Sequence, residues 1–236
     1  MARKHQLRKQ RTGTVINLWS KKQERQLGIA LAEVAERLQA EFAVRLRHEK
    51  HWYLSEIVAG LRVLFPDVEF ADCRDTSSMR PDGGILSVED RHGALFPVLI
   101  VEVKNQGTNV LRQAEGKKRQ AMGNAIERLG KNVIGFRAAM IHEGIVPFVC
   151  FGDGCDFAES SSILDRVVTI GMFGPLNKVQ VVNQGDGGPF NRGSFFFREK
   201  PWTPAEMSKI MYEIAQRSVF YYFATYGKDV FQVAAG

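Results

Sequence analysis

Three residues carry the chemistry this sequence can do: Asp82 in Pro81-Asp82-Gly83-Gly84, and Glu102 with Lys104 in Val101-Glu102-Val103-Lys104. Side chains alternate along a strand, so Glu102 and Lys104 share one face while Val101 and Val103 point to the other. The run before them, Val98-Leu-Ile-Val, is apolar on both faces. It predicts a central strand, where ionised side chains are costly unless they are paired or bind a metal. A hairpin returning from Asp82 brings a second carboxylate beside Glu102. Two carboxylates at a strand end make a hard oxygen site of the sort Mg²⁺ uses, with water and substrate phosphate completing the octahedron. A neighbouring lysine orients a nucleophile or stabilises charge developing on a phosphate. That combination suits phosphodiester hydrolysis. The plainer reading is a common Pro-Asp-Gly-Gly turn and a structural ion pair, and spacing alone leaves both readings open.

The elements that must position these residues follow from periodicity. Ile85-Leu-Ser-Val, a polar break at Asp90-Arg-His-Gly and Leu95–Val103 predict two strands joined as a hairpin. Val146-Pro-Phe-Val-Cys-Phe and Val179-Gln-Val-Val are further strand candidates, the first ended by Gly152-Asp-Gly. Leu27, Leu31, Val34, Leu38 and Phe42 recur at helical steps and predict an amphipathic helix from Gln23. A second helix is predicted over Tyr53–Leu64, stopping before Pro66. Thr203-Pro204-Ala205-Glu206 combines a capping box with proline at the first helical position, and Met207, Ile210, Met211 and Ile214 supply the buried face of the helix it starts. Strands mixed with helices predict an α/β layer fold.

The chain has 236 residues, 44% hydrophobic and 25% charged, which suits one sizeable core. No apolar run approaches the roughly 18 residues that cross a bilayer, and the start of the sequence does not read as a secretory signal. The expected setting is the cytoplasm, with no membrane partner. The three cysteines Cys73, Cys150 and Cys155 lack Cys-x-x-Cys spacing, which argues against a disulfide framework and a zinc site. The net charge of +6 favours polyanionic partners. Arg3, Lys4, Arg8, Lys9 and Arg11 crowd a segment with almost nothing apolar, so residues 1–16 are expected to form a mobile basic arm. Residues 17–236 are then a single catalytic and recognition domain.

The order of motifs makes the reading specific. Ser78-Met-Arg-Pro-Asp-Gly-Gly-Ile-Leu, followed twenty residues after Asp82 by Glu102-Val-Lys104-Asn-Gln-Gly, resembles the PD-(D/E)xK nuclease signature as the EcoRI family of type II restriction endonucleases carries it. Gly123-Asn124-Ala125-Ile126-Glu127-Arg128 is similar to the recognition segment of family members that read AATT. Leu164-Asp165-Arg166 resembles a later segment that also serves base recognition, and Tyr226-Gly-Lys-Asp-Val-Phe resembles the family's C-terminal end.

The resemblance implies a restriction-endonuclease-like α/β fold with a central mixed sheet flanked by helices. It implies Asp82, Glu102 and the Val103 carbonyl as Mg²⁺ ligands and Lys104 as the catalytic lysine. It assigns base reading to Asn124 and Arg128, with Arg166, Gln106, Gln120 and Ala121 as further DNA contacts. An Asn amide pairs with adenine N6 and N7 while Arg donates to purine N7, which supports the first two assignments on chemical grounds. Glu127 cannot donate when ionised and is better suited to holding arginines, Arg128 of a second subunit among them. Without the resemblance, Glu127 and Arg128 read as a solvated helix face, with Glu127 pairing Lys131. The resemblance further implies a homodimer on double-stranded DNA, 5′ overhangs and a companion adenine-N6 DNA methyltransferase. The segment between Lys104 and Gly123 is shorter than in the family, and Gln120 replaces a methionine at the outer base pair. Ile126 and Arg166 follow the GAATTC pattern rather than the CAATTG one. A repair or junction nuclease on the same fold would share Asp82, Glu102 and Lys104 without needing Asn124 and Arg128. A DNA-binding module with a structural ion pair is the non-enzyme alternative.

Overall fold

A strand that is apolar on both faces must be covered on both sides, and the computed structural model shows how. It describes residues 3–105, 109, 114–116, 118, 123–158, 164, 175–185 and 188–232; the side chains of 3–21, 123–128 and 189 also lie outside the described residues. Among these, five strands form one sheet: β1 (Arg45–Glu49), β4 (Gly84–Glu89), β5 (Leu95–Asn105), β6 (Phe148–Asp153) and β7 (Ser194–Arg198), in the order β1-β4-β5-β6-β7. The β1–β4 and β4–β5 pairs are antiparallel, and β5–β6 and β6–β7 are parallel, so the sheet is mixed and β5 is its middle strand. A second, two-stranded ribbon pairs β2 (Trp52–Tyr53) with β3 (Ser78–Met79).

The period of two along β5 and β6 sorts their side chains into two cores. Leu99, Val101, Val149 and Phe151 join Leu27, Val34 and Leu38 of helix α1 (Arg3–Phe42) and Met211, Ala215 and Tyr222 of helix α4 (Pro204–Tyr226) on one face. Ile100, Phe148 and Cys150 meet Leu129, Val133 and Phe136 of helix α3 (Gly123–Ala139) on the other. Helix α2 (Leu54–Leu64) adds Leu54 and Ile57 to that second core. The layers are therefore α1 and α4, the sheet, then α2 and α3.

The expected hairpin, the β6 strand, α2 and the start of α4 are all present. The Thr203 hydroxyl accepts from the Glu206 backbone N–H at 3.3 Å, and the Thr203 N–H donates to Glu206 Oε2 at 3.0 Å. Arg198 makes a two-pronged contact with Glu206 at 2.7 and 2.6 Å. Its guanidinium, helped by Thr203, holds the Glu206 carboxyl down at about 2. This contribution is present above the ordinary carboxylate range and is lost as pH falls toward 2; solvent keeps it modest because Glu206 is half-exposed. Thr203→Ala is expected to lower stability by about 1 kcal/mol, read by denaturant unfolding at neutral pH.

Two expectations are corrected, and two strands, β1 and β7, are added to those the sequence predicts. Helix α1 begins at Arg3 rather than near Gln23. Arg, Lys and Gln are good helix formers, so a basic sequence is no bar to a helical backbone. Val179–Val182 forms no strand; Val182 makes a lone bridge to Ile145. Its backbone is spent elsewhere, with Val181 O accepting from Val146 N–H and from the Asn191 amide. All three cysteines are free, and among the described residues no helix is long and apolar enough to cross a membrane.

Candidate active site

The Pro81–Gly84 turn is fastened to the middle strand. Gly84 N–H donates to Pro81 O at 3.0 Å, closing the turn, and Gly83 N–H donates to Val101 O at 2.9 Å. Gly84 has φ +73°, and a Cβ there would stand 2.5 Å from the Glu49 carbonyl oxygen, so only glycine fits. This anchoring sets Asp82 beside Glu102 and Val103. Asp82 N–H donates to Glu102 Oε2 at 3.0 Å, and Val103 N–H donates to Asp82 Oδ2 at 3.3 Å.

Lys104 closes the group. Its ammonium donates to Asp82 Oδ2 at 3.4 Å and to the Val103 carbonyl at 3.2 Å, and makes a close ion pair with Glu102 Oε1. Asp82, Glu102 and Lys104, singled out by residue type and spacing, therefore meet at the end of β5. Exposure falls inward: the side chains of Asp82, Lys104 and Glu102 are 36%, 19% and 2% exposed. The carboxylate in the core is thus reached from solvent past Asp82.

Burial pushes the Glu102 carboxyl up; Lys104 opposes this and Asp82 adds to it. Burial alone would lower the Lys104 ammonium, but the charges of Glu102 and Asp82 outweigh it and the net direction is up. Cys150, opposite Glu102 in the sheet, is fully buried and pushed well up by desolvation, which suits an inert core thiol.

One supporting residue had no signal in the sequence. Asn132 of α3 donates to Glu102 Oε1 at 3.1 Å across 30 residues of chain. Its position lies at four-residue spacing from 128 and 124, so the backbone of α3 runs those three positions along one side of the helix. Asn124, Glu127 and Arg128 lie in the first turns of α3 by backbone, and their side chains are outside the described residues, as are Gln106, Gln120, Ala121 and Arg166. The side chains of Arg3, Lys4, Arg8, Lys9 and Arg11 are outside them too.

Among the described residues no cluster of three or more His, Cys, Asp or Glu gathers to hold a metal. The site instead offers two carboxylates and one backbone carbonyl, and the Lys104 ammonium lies against an oxygen from each. An oxygen set that gathers around one positive charge fits a hard divalent cation of the Mg²⁺ type.

A mixed sheet flanked by helices, with this turn and strand at its centre, is the restriction-endonuclease-like fold. Comparison with known proteins gives the particular family: that described as restriction endonuclease EcoRI matches residues 10–163, and the chain belongs to it. The match covers Asp82, Glu102, Lys104 and Asn124 to Arg128, and ends before Arg166. The type II restriction enzyme RsrI of Cereibacter sphaeroides is 33% identical over 178 residues, covering 61% of this chain and 64% of RsrI. The type II restriction enzyme EcoRI of Escherichia coli is 33% identical over 147 residues, covering 56% of this chain and 53% of EcoRI. The chain thus spans between half and two thirds of these relatives' length.

Proposed function

We propose that this chain is a Mg²⁺-dependent type II endonuclease that cuts both strands of a palindromic DNA site with an AATT core, GAATTC in preference to CAATTG, leaving 5′ overhangs. The observation that carries this reading is the meeting of Asp82, Glu102 and Lys104 at the end of the middle strand. Asp82, Glu102 and the Val103 carbonyl would hold Mg²⁺, which when bound supplies Lewis acidity and a more acidic water. Asn132 and the Asp82 N–H keep the Glu102 carboxylate in one orientation. Lys104 stays charged between its carboxylates and offers its ammonium to a phosphate oxygen where negative charge grows. Asn124 and Arg128 read bases from the start of α3, Asn124 pairing adenine N6 and N7 and Arg128 donating to purine N7, with Glu127 bracing arginines. Because one subunit reads one half of a palindrome, the active form is a two-fold dimer. A companion adenine-N6 methyltransferase protects the same site.

Ca²⁺ is larger and less strict in geometry than Mg²⁺ and activates water poorly. A GAATTC duplex mixed with the protein in Ca²⁺ is therefore expected to shift on a native gel without being cut, and to be cut on exchange into Mg²⁺. Cutting in Ca²⁺ at the Mg²⁺ rate, or no sequence-dependent shift, would contradict the assignment.

A further inference from the structure

Two buried carboxylates lie beside the site without belonging to it. Asp153 ends β6, and Asp156 sits just beyond it in the tight turn Cys155–Phe157; they are 4% and 3% exposed. Both are held by asparagines that follow Lys104. Asn105 Nδ2 donates to Asp153 Oδ1 at 2.7 Å, and Asn109 Nδ2 lies 3.0 and 3.1 Å from the two oxygens of Asp156. Asn109 is itself buried.

The acceptor side of these pairs is rigidly held. β6 lies parallel to β5 with Lys104 opposite Gly152 and Asn105 opposite Asp153. Trp202 Nε1 donates to Gly152 O at 3.0 Å, and a Cβ on Gly152 would stand 2.4 Å from the Phe197 ring. Gln23 of α1 donates to Asp153 Oδ2 at 3.0 Å. Burial pushes the Asp153 carboxyl up, while Asn105, the Trp202 backbone N–H and Gln23 hold it back. Burying two carboxylates against amide partners is a costly way to join two segments if only cohesion is needed, since apolar side chains would serve as well or better. What such pairs add is direction, because each amide proton must face one oxygen.

We propose that Asn105–Asp153 and Asn109–Asp156 form a double clasp that fixes the chain leaving the catalytic strand, and thereby sets how sharply cleavage distinguishes the correct DNA site from one altered at a single base pair. All four are positioning residues. The proposal rests on the nuclease reading above. The clasp acts at the junction between Lys104, where cleavage is assigned, and the sequence leading to α3, where base reading is assigned. A loosened junction weakens the tie between base reading at α3 and the placing of Lys104, so cleavage depends less steeply on the correct bases.

The test exchanges roles within one pair. Asn109→Asp sets two carboxylates against each other, and adding Asp156→Asn restores one carboxylate and one amide with their positions swapped. Cleavage rates in Mg²⁺ are measured on a GAATTC duplex and on duplexes differing by one base pair, beside thermal melting of each protein. Asn109→Asp is expected to lower the ratio of correct-site to altered-site rates by about tenfold or more, and the swapped double variant to recover most of it. Asn105→Ala is expected to move the ratio the same way and serves, with Asn109→Ala, if Asn109→Asp does not fold. Wild-type ratios in the single variants, with or without a lower melting temperature, would make the pairs structural supports only and overturn the proposal. Failure of the wild type to cut any AATT-centred duplex would overturn the nuclease reading and the clasp together.

Discussion

Glu102→Gln and Lys104→Ala are each expected to slow DNA cleavage by about a hundredfold or more while leaving specific DNA binding largely in place. Glu102 is nine-tenths or more buried, and its oxygens are committed to Lys104, Asn132 and the Asp82 N–H. A glutamine keeps the shape but loses the charge that a divalent cation needs. Lys104→Ala removes the ammonium assigned to the phosphate and leaves Glu102 without its ion-pair partner. Neither residue lies at a position assigned to base edges, so the loss belongs to the transition state rather than to recognition. Single-turnover cleavage in Mg²⁺ beside binding in Ca²⁺ separates the two. A near-normal cleavage rate in either variant would remove the proposed site; parallel loss of binding and cleavage would mark a folding defect, which melting curves would show.

The second large effect concerns adenine. If Asn124 accepts from adenine N6 and donates to N7, a methyl group on N6 adds bulk where the side chain must fit and removes a donor. Each lost bidentate contact costs about 1–3 kcal/mol of discrimination, and a palindrome incurs the loss in both half-sites. Fully methylated GAATTC is therefore expected to compete about a hundredfold less well than the unmethylated duplex. Asn124→Ala should weaken specific binding in the same direction while sparing non-specific binding, which rests on phosphate contacts. Equal affinity of the wild type for both duplexes would show that Asn124 does not read adenine.

How much of this was legible in the sequence depended on how local its cause is. Strand alternation gave Glu102 and Lys104 a common face, and the central strand followed from an apolar run with no polar side. The Thr203–Glu206 cap was readable because all its parts lie within four residues. Strand β1, Arg45–Glu49, has a polar sequence and lies at the edge of the sheet, so it forms through its pairing with β4 rather than through its own pattern. Strand β7, with Phe195, Phe196 and Phe197 in succession, did carry a signal: a short apolar run of the kind a buried strand shows. At Val179–Val182 the same type of signal misled, because that backbone bonds across to Val146 and Asn191 instead of joining a ladder. Asn132, Asp153 and Asp156 had no signal at all. Their partners lie 30 to 130 residues away, and only the fold brings them together.

Site-specific cleavage is tested most directly by digesting a plasmid of known sequence with the purified protein in Mg²⁺ and sequencing the fragment ends. Discrete fragments are expected, with every end mapping to a palindrome centred on AATT, GAATTC first among them, and with matching 5′ overhangs on both strands. Nicks that follow DNA structure rather than sequence would contradict it in favour of a repair or junction nuclease, and tight binding without any cutting would contradict it in favour of a DNA-binding module.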